Sequence, residues 1–260
     1  MATLAETLEK TAIGNPVRME QLVMFPLLGP AVSGPGYITL VEAIAHGVAE
    51  VKEVSASRSV PEARFINNAD KPVFLMDGEE LIGARQNRVL NLSLPLNAHS
   101  EATIPVSCVE QFRWHYESLQ FQSAPRTLFA EARARKADHV SASLATFESR
   151  VSDQSEIWEQ IHQKSLSLEA HSATGAMDDI YERNQVSLRD YEEAMQPVEG
   201  QTGALFSLVH RSSAWISSTA RPPFGPCCPR WCSGTRQMPW TRLELGTSRP
   251  LPRWSRLVRS

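Results

Sequence analysis

Carboxylate, guanidinium and amide side chains are concentrated in residues 79–91. The group consists of Glu79, Glu80, Arg85, Gln86, Asn87, Arg88 and Asn91. A carboxyl group can act as a general acid or base, and arginine forks beside amides suit phosphate or carboxylate groups. These residues therefore indicate a site for a small anionic ligand, with catalysis by Glu79 or Glu80 as an alternative.

Glu79 and Glu80 cannot act as a pair on one substrate if they lie in a regular strand. Adjacent strand residues point to opposite faces, so only one of the two would reach a given ligand. A structural interpretation also exists, in which Glu79–Arg85 and Glu80–Arg88 ion pairs cover a polar sheet face. We favour the ligand interpretation, because amides so close to two arginines exceed what solubility requires.

A second group of reactive side chains surrounds Cys108. With Glu110 and His115 it suggests a thiolate nucleophile, whereas a buried thiol in an apolar strand is simply a small hydrophobe. We favour the buried thiol, because no glycine-rich anion loop follows the cysteine. Arg113 and Trp114 at the end of this strand are candidates to frame a planar ligand, with core packing as the alternative.

The histidines do not predict a metal site. His139, His162 and His171 lie in helical segments without HxxxH or HExxH spacing, and the cysteines at positions 227, 228 and 232 lack a paired CxxC arrangement. We therefore assign no metal ligands, and the residues do not indicate a particular cofactor.

The polar group must be positioned by strands. Val73 to Met76 is apolar, Asp77-Gly78 favours a tight turn, and residues 79–84 return, which predicts a hairpin. Strict alternation would place Glu80 and Arg88 on a core face, and Glu79, Arg85 and Asn87 on a solvent or site face. Gly83 indicates a bulge or a close backbone approach, so the parity after it is left open.

Strand signals dominate the first half of the chain and helix signals the second. Predicted strands include 19–28, 48–54, 63–67 and 102–109, with Pro105 indicating an edge or a bulge. Thr39 and Glu42 have capping-box spacing before a short helix. Helices are predicted over 130–136 and 153–167, after a cap at Thr174, and on to Pro197. The expected fold class is α+β, a mainly antiparallel sheet covered by helices.

Composition divides the chain into two parts. Residues 1–210 contain 28 acidic and 17 basic side chains, whereas residues 211–260 contain nine arginines and one acidic residue, Glu244. We predict a lead-in over 1–18, an α+β domain over 19–206 and a disordered, Arg/Pro/Trp-rich tail over 207–260. With one cysteine in the first 210 residues and neither a signal core nor a long apolar run, we expect a cytoplasmic protein without a membrane partner.

Several strings together resemble one family. They are DGEELIGARQNRVLN, IPVSCVEQFRW, ARARKADHVSASL, SDQSEIWEQI, TGAMDDIYE and PVEGQTGALF. The chain resembles the ARPP domain family, associated with ADP-ribosylglycohydrolase and rhodanese-phosphatase superfamily proteins, over roughly residues 20–206. The family is functionally uncharacterised. Its name records the proteins with which it is associated in genomes, and that association implies at most a link to nucleotide, ADP-ribose or phosphate chemistry.

The tail departs from that resemblance. After Ala204-Leu205-Phe206 the family pattern implies one more strand and a closing helix, whereas this chain continues with Arg, Pro, Cys and Trp. Moving the reading frame of residues 227–232 by two bases permits a family-like LPKVV. We therefore hypothesise an out-of-frame tail, beginning between Ser207 and Ser212. Only a genuine tail would favour nucleic-acid binding, through phosphate attraction and stacking.

Three functions remain open on these residues. The first is binding of a nucleotide or ADP-ribose-like anion, and the second is a hydrolase or transferase that uses Glu79 or Glu80. The third is a structural or interaction domain. The residues do not determine the oligomeric state or whether the protein is an enzyme.

Overall fold

The computed structural model describes residues 4–30, 36–54, 61–113, 115–208, 211–218 and 241–243. The helices are α1 (Leu4–Glu9), α2 (Leu40–Ala45), α3 (Ala130–Phe147), α4 (Gln154–Ser167), α5 (Met177–Arg183) and α6 (Gln185–Ala194). The strands are β1 (Ala12–Ile13), β2 (Val17–Met19), β3 (Leu22–Leu28), β4 (Ile38–Thr39), β5 (Ala49–Glu53), β6 (Glu62–Asn67), β7 (Val73–Leu75), β8 (Glu79–Gly83), β9 (Arg88–Leu90), β10 (Leu94–Leu96), β11 (Ser100–Cys108), β12 (Gln120–Thr127), β13 (Gln201–Leu208), β14 (Arg211–Ser218) and β15 (Thr241–Leu243).

Six strands close into a barrel in the order β11-β6-β5-β12-β8-β9, and every pairing between them is antiparallel. Closure removes free strand edges, which a sheet must otherwise protect. The barrel core contains Val51, Phe65, Leu81 and Phe121, all nearly or completely inaccessible to solvent. Helix α2 begins with the predicted capping box of Thr39 and Glu42, and it contributes to this core.

A second core lies between the outside of the barrel and the helices of the second half. Val89 of β9 packs there with Ile157, Ile161, Ile180 and Tyr181 of α4 and α5. Helix α4 begins one residue after the predicted start at 153, and the Asp153 carboxylate caps it by accepting hydrogen bonds from the backbone N–H groups of Ser155 and Glu156. The helices therefore cover one side of the barrel.

Two further sheets complete the described fold. Strands β10, β7 and β4 form a small sheet beside the barrel, in which β4 and β7 are parallel. The larger sheet has the order β1-β3-β13-β14-β15, with β2 also paired to β3. A third core, which includes Met24, Tyr191, Met195 and Phe206, lies between this sheet and helix α6.

The predicted α+β class is confirmed, since the sheets are mostly antiparallel and the longer helices all lie in the second half. The covered sheet, however, is a closed barrel. Pro105 does not mark a bulge, since no register shift occurs there, but it does lie at a pairing boundary, where the register of β11 with β6 ends and that with β9 begins one residue later. Thr174 is also not a helix cap, since α5 begins three residues later, at Met177, with Ala176 as its N-cap.

The predicted hairpin at Asp77-Gly78 is wrong. Strand β7 pairs with β10 and β4, whereas β8 pairs with β9 and β12, so the turn passes the chain from one sheet to another. Gly78 does adopt the expected positive φ of 78°. The hairpin instead joins β8 to β9 through residues 84–87, where Ala84 has a φ of 47°.

Only part of the predicted tail can be described. Residues 207–208 end β13, and β14 and β15 contain residues 211–218 and 241–243, while the other tail residues lie outside the described structure. The disordered tail and its altered reading frame therefore stay predictions. Across the described helices, none has both the length and the apolar character needed to cross a membrane.

Candidate functional site

Except for Arg85, the polar residues of 79–91 are buried, and they lie on both sides of the barrel wall. Leu81 lies opposite Arg88, and Glu80 lies opposite Val89. Because directly opposed residues share a face, Glu80 points toward the helix-covered core and Arg88 shares a face with Leu81 of the barrel core. Strict alternation, which would have grouped Glu80 with Arg88, is therefore interrupted after Gly83, where the sequence left the parity open. The positive φ angles of Gly83 and Ala84 reverse the parity between the two strands.

Gly83 makes the close backbone approach that the sequence suggested. Its φ is 112°, and a Cβ atom there would lie 2.4 Å from the Ser118 hydroxyl oxygen. The Ser118 hydroxyl accepts a hydrogen bond from the Ala84 N–H at 2.9 Å. Only glycine therefore fits between β8 and the segment that precedes β12.

Three of the seven predicted ligand-binding residues, Gln86, Asn87 and Arg113, join Glu110 in what we call the Glu110 network. Arg113 donates from Nε to Glu110 at 2.9 Å, and its Nη2 lies 2.7 Å from the other carboxylate oxygen. Arg113 also donates to the Asn87 side-chain oxygen and the Ala84 carbonyl. The Gln86 amide donates to the Glu110 carbonyl at 2.9 Å. These partners are all within the protein.

Arg88 and Asn91 are likewise engaged by the protein. Arg88 contacts the Cys108 sulfur and forms a 3.5 Å ion pair with Glu53, so the expected Glu80–Arg88 pair does not form. Asn91 donates to the Arg150 carbonyl and accepts from the Ser107 hydroxyl. Arg85 is only half-buried, with its guanidinium carbon 4.5 Å from the centre of the Tyr116 ring.

The environment of Cys108 does not favour a thiolate. Burial raises the pKa of the Cys108 thiol to about 11, and the opposing effect of Arg88 is smaller. The thiol is therefore protonated at neutral pH, whereas a nucleophilic cysteine needs a lowered pKa. The other member of the predicted pair with Arg113, Trp114, lies outside the described residues.

A buried lysine that the sequence analysis missed fixes the turn at residue 77. Lys136 is 1 % exposed, contacts the Asp77 carboxylate, and donates to the Leu90 and Asn91 carbonyls at 2.9 and 3.0 Å. Arg133 binds the other Asp77 oxygen at 2.6 Å. Burial lowers the pKa of Lys136, and Asp77 opposes this shift. The i, i+3 spacing of Arg133 and Lys136 was the signal that these cations share one helix face.

Glu79 and Glu80 have different environments although they are adjacent. Glu79 accepts a hydrogen bond from the Met76 N–H at 2.9 Å. Glu80 is 0 % exposed, and neither of its carboxyl oxygens has a hydrogen-bond partner among the described residues. Burial raises its pKa to about 8; Arg126 opposes this shift, while Glu110 and Glu182 add to it. Glu80 is therefore mainly protonated at neutral pH.

The side chains near Glu80 form a second polar group, the Glu80 cluster of Glu80, Arg126, Asp178, Tyr181 and Glu182. Arg126 forms an ion pair with Asp178 and lies 4.0 Å from a Glu182 oxygen. Its guanidinium carbon is 5.7 Å from the centre of the Tyr181 ring. Tyr181 donates its hydroxyl to the Thr127 carbonyl at 2.5 Å, and its burial raises its pKa, with Glu80 adding to the shift.

The Glu80 cluster depends on contacts that the sequence did not reveal. Arg126 is in β12 and Asp178 is in α5, so the tertiary fold alone pairs these two residues and brings Arg126 within electrostatic range of Glu80. Locally, Asp178 is an acidic residue in the first turn of α5, and nothing in its sequence neighbourhood indicates Arg126 as its partner. Within the described ranges, no group of three or more His, Cys, Asp or Glu side chains is placed to hold a metal ion.

The fold and the site define a class: an α+β protein whose closed barrel carries buried polar groups on both sides of one wall. The sequence pattern of the ARG and Rhodanese-Phosphatase-superfamily-associated Protein domain, ARPP-1, matches residues 10–215. This protein therefore belongs to the ARPP-1 family, as the sequence resemblance indicated. The match extends beyond residue 206, where we placed the end of the domain. No curated protein and no solved structure matches the chain.

Proposed function

We propose that the protein is a hydrolase or transferase for a small anionic substrate, with Glu80 as the general acid/base and Arg126 as the anion-binding group. One observation carries this proposal. Glu80 is fully buried, has no hydrogen-bond partner among the described residues, and has a pKa near 8. Buried polar groups are normally hydrogen-bonded, so an exception of this kind calls for an explanation.

The protonation state of Glu80 suits acid catalysis near neutral pH. A carboxylic acid whose pKa is near the working pH can donate a proton to a leaving oxygen, and can afterwards accept one from water. Glu79 is the weaker candidate, because its carboxylate already accepts the Met76 N–H. Glu80 is therefore the carboxyl group we assign to the reaction.

Arg126 supplies the positive charge that an anionic substrate requires. Its side chain is 16 % exposed and that of its partner Asp178 is 19 % exposed, so this ion pair is close to the surface. We expect the anionic group of the substrate to replace the Asp178 carboxylate on Arg126. That exchange keeps the guanidinium paired, and it opens the outer wall of the Glu80 cluster to the rest of the substrate.

A binding module without turnover is the second candidate. It keeps the predicted ligand set of Arg85, Gln86, Asn87, Arg88, Asn91, Arg113 and Trp114 and gives Glu79 and Glu80 no catalytic role. The observation in its favour is the half-buried Arg85 stacked on Tyr116. The engagement of the Glu110 network within the protein counts against it, because a ligand would have to displace buried partners.

The decisive experiment uses the full chain with ADP-ribose as the probe. Products are followed by chromatography and binding by calorimetry, for the wild type, Glu80→Gln and the control Glu192→Gln, which removes a carboxylate outside the Glu80 cluster. We expect Glu80→Gln to lower turnover about 100-fold or more and to leave the Kd within a few fold. Glu192→Gln should match the wild type.

The other outcomes separate the candidates. Saturable binding without turnover in all three proteins would overturn the enzyme proposal and favour the binding module. Turnover that is equal in wild type and Glu80→Gln would remove Glu80 from the reaction. Absence of both binding and turnover would overturn an ADP-ribose-like substrate and favour a structural or interaction domain.

A further inference from the structure

A cleft beside helix α4 is lined by none of the residues assigned to the proposed reaction. Its volume is about 590 Å³, and its walls are residues 111–112, one face of α4 and the segment 172–176. Small-molecule sites commonly have volumes of roughly 300–1,000 Å³. The cleft is therefore large enough for a ligand the size of a nucleoside.

The face of α4 that lines the cleft is chemically unusual for a helix that also packs on a core. Ser155, Trp158, His162 and Ser165 follow one another at intervals of three or four residues, and all four line the cleft. This spacing places them on one side of the helix. Their side chains carry two hydroxyl groups, an indole and an imidazole, which are groups that bind planar polar ligands by stacking and hydrogen bonding. The Ser165 hydroxyl donates to the Ala170 carbonyl, so toward a ligand it can act only as an acceptor.

An exposed aromatic ring stands opposite this helix face. Phe112 lines the cleft and is 64 % exposed. Its position is fixed, because its N–H and that of Gln111 donate to the Thr174 carbonyl at 2.8 and 3.1 Å, and because the next residue, Arg113, is anchored in the Glu110 network. Gly175 has a φ of 68°, and a Cβ atom there would be 3.3 Å from the Phe112 ring.

Charge limits the class of ligand. Glu159 lines the cleft, and none of the described residues that form its walls is Lys or Arg. A phosphate group would therefore find no cation here. The Trp158 indole N–H is itself shielded from solvent, so the hydrogen-bonding groups left for a ligand are those of the serines and His162, which suit a ligand that carries carbonyl or ring-nitrogen groups.

From these features we infer that the cleft formed by Phe112, Gly175 and the Ser155–Ser165 face of α4 is a binding site for a neutral, planar nitrogen heterocycle of the nucleobase class. The heterocycle stacks on Phe112 and is hydrogen-bonded by the polar groups of α4. This site is independent of Glu80 and Arg126, so its test does not depend on the proposed reaction.

Adenosine is the probe, and its binding to the full chain is measured by saturation-transfer NMR and calorimetry. We expect saturable binding that Phe112→Ala weakens about tenfold, in line with the loss of one base-stacking contact. The matched control is Phe147→Ala, which removes a 76 % exposed phenylalanine at the end of α3, outside the cleft. It should bind adenosine as the wild type does.

Binding of AMP and of N-acetyltryptophanamide tests the ligand class. AMP should bind no more tightly than adenosine, so markedly tighter AMP binding would overturn the neutral ligand class. Binding of N-acetyltryptophanamide without binding of adenosine would overturn the nucleobase class and indicate an aromatic peptide side chain instead. No saturable adenosine binding, or equal binding by wild type and Phe112→Ala, would overturn the site.

Discussion

The Glu110 network and the Glu80 cluster are both buried and polar, yet they differ in how completely their charges are satisfied. Glu110 accepts from Arg113 and from the Asn87 N–H. Glu80 is fully buried, and its carboxyl oxygens have no hydrogen-bond partner among the described residues. A buried carboxylate with all its partners, such as Glu110, stabilises the fold. A buried carboxyl group without a partner, such as that of Glu80, lowers the stability of the fold unless a bound ligand supplies the missing hydrogen bonds. Density of polar residues therefore does not by itself locate a site.

The largest expected effect comes from breaking the Glu110 network. Arg113→Met leaves the Glu110 carboxylate buried without its guanidinium partner, and we expect a loss of about 3–5 kcal/mol in the free energy of unfolding. Urea denaturation measures it. Arg113→Met combined with Glu110→Gln should recover part of the loss, and a loss below about 1 kcal/mol in the single variant would contradict the comparison.

The next largest effect is expected at the Asp77 turn. Lys136→Met leaves the Leu90 and Asn91 carbonyls without their buried donor, while Arg133 still pairs with Asp77. We expect a loss of about 2–3 kcal/mol, measured by the same denaturation. Unchanged stability would mean that water or a neighbouring group replaces the lysine.

Glu80 should make the free energy of unfolding depend on pH, which distinguishes the Glu80 cluster from the Glu110 network. Its pKa is near 8 in the folded chain and about 4.3 in an unfolded chain. Between these values the folded state holds a proton that the unfolded state has lost, so stability falls as pH rises. The expected slope approaches about 1.4 kcal/mol per pH unit and levels off above pH 8.

The reference for this slope is Glu80→Gln, which cannot titrate at this position. Denaturation of both proteins from pH 5 to pH 9 isolates the contribution of Glu80. A stability difference that is constant across this range would show that Glu80 has an ordinary pKa. Infrared detection of a protonated carboxyl that disappears near pH 8, and is absent in Glu80→Gln, would provide direct support.

The smallest effect on stability is expected from Arg135, an exposed arginine that pairs with carboxylates as the buried Arg113 does. Arg135 pairs with Glu131 at 3.0 Å and with Glu156 at 3.3 Å, but its side chain is 53 % exposed. Arg135→Met should change the free energy of unfolding by about 0.5 kcal/mol or less. An effect as large as that of Arg113→Met would show that burial is not what separates the two arginines.

Some of the fold followed from local patterns, and some errors share one physical cause. The capping box at Thr39 and the cap at Asp153 were predictable, because each depends on residues three or fewer positions apart. The Asp77-Gly78 turn was predicted, but the strands that pair with β7 and β8 were not, since strand pairing depends on residues far apart in the sequence. The face on which each β9 side chain lies was also unpredictable, because Ala84 in the preceding turn adopts a positive φ that an alanine in the sequence does not indicate.

The candidate site shows the same division. The sequence was sufficient to predict a polar group over residues 79–91 that contains both Glu79 and Glu80, because carboxylates, arginines and amides at this density exceed what solubility requires. It could not separate Glu80 from Glu79, or pair Glu80 with Arg126, since burial and electrostatic surroundings arise from β12 and α5. The cleft beside Phe112 likewise required three distant segments.

By itself the sequence determined the family, the α+β class and the local starts of several helices, because these depend on residue order and short-range hydrogen bonding. The tertiary structure decided that the sheet closes into a barrel and that most of the polar run is satisfied within the protein. It also decided that Glu80 is left without a partner among the described residues. The physical reason is that desolvation and hydrogen bonding depend on which distant groups surround a side chain, and only the packed chain brings those groups together.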